Sequence, residues 1–147
     1  MKVTSWSQGT IPQAGYPISR RGRALGRGWK WRFVKFNALG ERFVVLVSLS
    51  EEKEHFRAAL CWYASDGFRV LCHHELHTSH YGWHCHFYDG AVSDVEPKKA
   101  RDRNTFNRWP TFSSDECCER FDITYSNALT KAAERFRFSL SEEPRLL

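Results

Sequence analysis

The chain has 147 residues, 41% of them hydrophobic and 27% charged, with a net charge of +5, which is the size of one domain that can bury a core without cross-links. Five cysteines, an odd number that includes the adjacent pair Cys117-Cys118 and no CxxC spacing, argue against a disulfide framework and a zinc ribbon and for a reducing compartment. No apolar run approaches the ~18 residues of a membrane span, and the start lacks a basic segment followed by an apolar one, so a cytoplasmic protein with no membrane partner is expected.

Basic residues crowd the front: residues 1 to 50 hold nine Lys or Arg against one acid. Residues 1–28, with Gly9, Pro12, Gly15 and Pro17, read as a flexible arm in which Arg20, Arg21, Arg23 and Arg27 are separated by glycines and can neutralise phosphates. Aromatics and cations then alternate from Trp29 to Phe36. A strand there puts Trp29, Trp31 and Phe33 on one face beside Lys30 and Arg32, the usual platform for single-stranded bases, where stacking contributes roughly 1–3 kcal/mol per base. An edge strand with an aromatic core face gives the same alternation.

Strands are predicted over 29–36 and 42–49, joined through Ala38-Leu39-Gly40-Glu41; the continuous apolar run Phe43 to Val47 marks the second as central. Ser50 is placed to cap a helix whose first turn carries Glu51 and Glu52 and whose stripe is Phe56, Ala59, Leu60 and Tyr63, ending at Asp66-Gly67.

Six of the seven histidines then fall between His73 and His86. Imidazole is the commonest transition-metal ligand and titrates near neutral pH, so the cluster points to a metal site or an acid/base site, with a polar hairpin of solvated histidines as the plain alternative. Strand periodicity puts His84 and His86 on one face and Trp83, Cys85 and Phe87 on the other. If residues 68–77 form the preceding strand and Thr78 to Gly82 the loop, His77 pairs with Trp83 and His74 faces His86, gathering His74, His84 and His86 around one divalent ion. A one-residue slip would put His73 and Glu75 beside the pair instead. The ion is expected to be zinc, manganese or magnesium. Cys72 and Cys85 are further donors, but Cys85 points away from the pair and reads as packing.

Residues 91–112 give no clean period and read as a long loop over the site. A last helix opens at Ser113-Ser114-Asp115-Glu116 and carries Cys118, Phe121, Tyr125, Leu129, Ala132 and Phe136 along one side. The expected architecture is therefore one α+β domain over 29–147, a largely antiparallel sheet of about four strands with two helices on one face.

A hairpin with His84-Cys85-His86 on its second strand, followed by Tyr125 on a helix, resembles the HUH endonucleases over roughly residues 42–137. That resemblance implies that His84 and His86 hold a divalent ion against a DNA phosphate, with His74 as third ligand, while Tyr125 attacks. Cys85 stands where that family carries a bulky hydrophobe, and Lys131 lies too far from Tyr125 for the family's tyrosine–lysine spacing. Without a tyrosine nucleophile, an ion that lowers the pKa of its water to about 7 serves the same phosphodiester, with Glu75 or His77 moving protons. The expected activity is metal-dependent cleavage of single-stranded DNA or RNA. The contrasting expectation is a non-enzymatic nucleic-acid-binding or assembly module, with a protein partner and a structural ion or none.

Overall fold

The computed structural model describes residues 1–12, 23–65, 67–78, 82–95, 106–109 and 120–140. In chain order the elements are β1 (Lys2–Val3), β2 (Ser7–Gln8), β3 (Thr10–Ile11), β4 (Arg23–Ala24), β5 (Lys30–Ala38), β6 (Glu41–Ser50), β7 (His55–Ala64), β8 (Gly67–His77), β9 (His84–Tyr88), a 3-10 turn at Val92–Asp94, β10 (Phe106–Trp109) and α1 (Ala128–Phe136). One antiparallel sheet runs β1-β5-β6-β7-β8-β9-β10, with β2 also on β5, and β3 and β4 make a separate two-stranded ribbon. The expectation of about four strands and two helices is overturned: the sheet is twice as wide, and α1 is the one α-helix among the described residues. That helix is not long and apolar enough to cross a membrane.

The largest correction is at residues 51–64, expected to be a helix. Ser50 does accept a backbone N–H three residues on, from Lys53 at 3.2 Å, as an N-cap would. Glu54, however, takes a left-handed φ of 46° and its N–H returns to the Glu51 carbonyl at 3.2 Å, which closes a tight turn and sends the chain back along β6 as β7. The helical stripe was misleading because β7 is covered on both faces: Phe56 and Ala58 face one side of the sheet, Ala59 and Cys61 the other, and all four are at most 1% exposed. From Ala58 to Cys61 both faces are buried, so the alternation that begins at His55 to Ala58 does not continue along the strand. The two structures predict opposite fates for Ala58, which the helical stripe leaves in solvent. Ala58→Asp is therefore expected to lower unfolding stability in urea by more than about 3 kcal/mol, as an uncompensated buried charge does; a near-wild-type midpoint would contradict β7.

Two apolar layers sandwich the sheet. On one side Trp31, Phe33, Val44, Leu46, Ala59, Cys61 and Val70 pack with Ile11 of β3 and Leu25. On the other, Val34, Val45, Val47, Leu49, Phe56, Ala58 and Leu76 meet Ile123, Ala128 and Ala132 of the helix segment. Within the segment expected to be an arm, Ile11 is 1% exposed and belongs to the core. Residues 91–112 are not simply a loop, since Phe106–Trp109 pairs with β9. The final helix starts at Ala128 rather than near Ser113; residues 120–127 are not helical, and residues 113–119 lie outside the described part.

Candidate metal centre

Four neighbouring strands deliver polar side chains to one face of the sheet. Opposite partners are His55 and His77, Arg57 and Glu75, His73 and His86, Glu75 and His84, and Arg108 and His86. Strand alternation therefore places His55 and Arg57 of β7, His73, Glu75 and His77 of β8, His84 and His86 of β9 and Arg108 of β10 on that face.

At the centre is the Glu75 carboxylate, whose side chain is 4% exposed. Arg57 Nε donates to its Oε1 at 2.6 Å, and His73 Nδ1 lies 3.6 Å from the same oxygen. The other oxygen, Oε2, faces His84 Nε2 at 3.3 Å, His77 Nε2 at 3.7 Å and His86 Nε2 at 3.9 Å. Burial, the largest single influence, raises the carboxyl pKa; the imidazoles of His73 and His84 and the guanidinium of Arg57 together outweigh it and hold Glu75 well below the ordinary carboxylate range. Glu75 is thus held as an anion at neutral pH. His77 does reach the cluster, stacked on His55 with ring centroids 4.5 Å apart.

The third ligand proposed from the sequence, His74, is not there. The register is the one-residue slip, with His74 opposite Cys85 and its ring against Phe136 of α1, on the other face from His84 and His86. Burial decides this. Leu76 is 2% exposed, and Trp83 packs edge-on against Phe56. The expected register would have put Leu76 among the imidazoles and parted it from Trp83, and a slip of one residue reverses every side chain of a strand. Cys72 and Cys85 share the helix side; burial and then the neighbouring Cys85 push the Cys72 thiol up to about 12, which disfavours a thiolate ligand.

One donor atom each from Glu75, His84 and His86 lies within 4.8 Å of the others, and the same holds for His55, Glu75 and His77. The chemistry of the first set fits a cation. His84 Nδ1 lies 3.4 Å from the Gly82 carbonyl, and with a proton on Nδ1 the ring's Nε2 can serve as a ligand beside Glu75 Oε2, 3.3 Å away. A backbone carbonyl on the far nitrogen is also the usual support of a metal-bound histidine. Donors on a tetrahedral ion at ~2.0–2.1 Å stand roughly 3.3–3.4 Å apart, so the His84–Glu75 spacing already suits one and His86 needs to close by a few tenths of an ångström.

The remaining expected residues are dispersed. Tyr125 sits in the turn before α1, with its hydroxyl donating to the Gly28 carbonyl at 3.3 Å, Trp6 edge-on at 5.2 Å and Lys30 over its ring at 4.5 Å. It packs with the helix-side layer, and burial, reinforced by the charges of Glu51 and Glu52, raises its pKa. Trp31 is core, 8% exposed, with its indole N–H on the Gly9 carbonyl; Arg32 lies over Trp6. The expected row of exposed aromatics is therefore not formed: Trp29 alone reaches the cluster, edge-on to His55 at 4.9 Å. Arg27 is exposed, Arg23 forms β4, and Arg20 and Arg21 lie outside the described residues. Sequence reading missed His55, Arg57 and Arg108; the His55-x-Arg57 spacing, with Phe56 and Ala58 between and after, was the available signal for a strand.

Two histidines contribute to the acid response. Burial first, then the charges of His77 and Arg57, lowers His55 to about 4; burial, then Arg135, lowers His74 to about 4. Because the unfolded chain titrates these groups near 6.5, it binds more protons than the fold between pH 6.5 and 4. Stability contributed by their neutral forms is complete above pH 6.5 and is lost on acidification through that window. In chelator, the urea midpoint is expected to fall from pH 6.5 to 4, less steeply in His74→Gln; an unchanged slope in that variant would refute the assignment.

No protein-family model, curated protein or solved structure matches this chain.

Proposed function

We propose that the chain is a metal-dependent phosphodiesterase acting on nucleic acid, with Glu75, His84 and His86 holding a divalent transition ion. The observation that carries this reading is the buried Glu75 carboxylate, with Arg57 on one oxygen and the imidazoles of His84 and His86 turned toward the other. Two imidazoles and one carboxylate are the donors of open catalytic zinc sites and of facial-triad iron sites. They suit zinc or manganese and not magnesium, which prefers oxygen and water. When bound, the ion would supply Lewis acidity to a phosphoryl oxygen.

The protein's own residues do the rest. Arg57 fixes the carboxylate and, at 23% exposure, keeps part of its guanidinium for an anion; Arg108 stands opposite His86 on β10. His77, within 3.7 Å of Glu75, is placed to hold a proton from an attacking water. Tyr125 plays no part in this mechanism, so water replaces the tyrosine nucleophile. A test is cleavage of single-stranded DNA and RNA by protein reconstituted with Zn2+ or Mn2+: activity without a covalent adduct, lost in His86→Ala and retained in Tyr125→Phe, supports it. An adduct that disappears in Tyr125→Phe would overturn it.

One observation favours a second reading. Glu75 and His84 are 3% and 2% exposed, as ligands of a structural ion are. Nucleic-acid binding by metal-loaded protein with no cleavage under any divalent ion would establish that binding module instead.

A further inference from the structure

A second pair of imidazoles stands beside the same carboxylate. His55 and His77 are cross-strand partners with rings 4.5 Å apart and 28° from parallel, and His77 Nε2 is 3.7 Å from Glu75 Oε2. Donor atoms of His55, Glu75 and His77 all lie within 4.8 Å of one another. On an ion at ~2.0–2.1 Å, an imidazole ring centre sits about 3.2 Å away, so two such rings are about 4.5 Å apart at a right angle and about 5.2 Å apart at the tetrahedral angle. His84 and His86, with ring centroids 5.2 Å apart and planes at 90°, match the second spacing. His55 Nε2 is buried and has no hydrogen-bond partner, which is costly for an imidazole nitrogen unless something else coordinates it.

Arg57 takes Glu75 Oε1 at 2.6 Å, leaving Oε2 as the oxygen toward the imidazoles. We infer that the centre takes a second divalent ion, held by His55 and His77, with Glu75 bridging the pair; in that two-ion form His77 is a ligand and gives up the proton-holding role it has in the one-ion site. This rests on the proposed ion at Glu75, His84 and His86 and names what the full site would bind. Paired ions ~3.5–4 Å apart clamp the attacking and leaving oxygens of a phosphoryl group. Two divalent ions sharing a single carboxylate leave excess positive charge, which selects an anionic ligand such as a phosphodiester.

The test uses the full chain, stripped with chelator and reloaded with Mn2+ alone, then freed of unbound ion and measured by elemental analysis and electron paramagnetic resonance. The expected result is about two ions per chain with a spin-coupled spectrum, falling in His55→Ala to about one ion with an isolated-ion spectrum. About one ion in the wild type, unchanged in His55→Ala, overturns the second site and leaves the first standing. Two ions retained by His55→Ala also overturn it. No ion retained by the wild type overturns both. If the variant proves unstable, the wild-type spectrum decides: two ions without spin coupling overturn the bridged pair, and a spin-coupled pair supports it.

Discussion

Glu75→Gln is expected to abolish tight ion binding and to destabilise the ion-free chain. The carboxylate is 4% exposed and faces Arg57, His73, His77, His84 and His86, so removing its charge leaves buried donors without their common acceptor. Breaking a buried pair by deleting one partner costs about 3–5 kcal/mol. Here the lower end applies, because Arg57 is 23% exposed and water can take up part of its charge. Loss of an outer-shell partner already weakens a metal site about 10–100-fold, so loss of a direct ligand should exceed about 100-fold. Urea unfolding in chelator measures the first effect and calorimetric titration with Zn2+ the second. An unchanged Zn2+ affinity would remove Glu75 from the site and with it both proposed ions.

His84→Ala and His74→Ala should differ sharply, although the two residues lie in the same histidine-rich run. His84 projects its Nε2 to within 3.3 Å of Glu75, whereas His74 packs edge-on against Phe136 at 4.9 Å. Zn2+ affinity is expected to fall more than about 100-fold in His84→Ala and to stay within about threefold of wild type in His74→Ala. The His74 variant should instead lose on the order of 1 kcal/mol of packing against α1. The reverse outcome would mean that β8 and β9 pair in the other register.

The strands over 29–36, 42–49 and 68–77 were legible because hydrophobic runs and turn signals bracket them, and each matches an observed strand within two residues. Residues 51–64 were not, because Ser50 makes a cap-like hydrogen bond in a hairpin turn and the strand that follows is buried on both faces. The error spread to the site. With residues 55–64 read as a helix, His55 and Arg57 had no reason to approach Glu75, so a network drawn from four strands was seen as a hairpin alone. Likewise, the cation–aromatic alternation at Trp29 to Phe36 fits both an exposed platform and a core strand; burial of Trp31 and Phe33 under Ile11 and Leu25 settles those two positions for the core.

The sequence by itself determined that this protein concentrates imidazoles on a β-ribbon and that His84 and His86 share a face, because a two-residue repeat follows from strand geometry alone. Only the tertiary structure decided which partners meet them. Pairing register is a choice between nearly equivalent sets of backbone hydrogen bonds, and it is made by what must be buried: Leu76 and Trp83 go with Phe56 into the helix-side layer. That carries His74 away with them and turns Glu75 to the imidazoles.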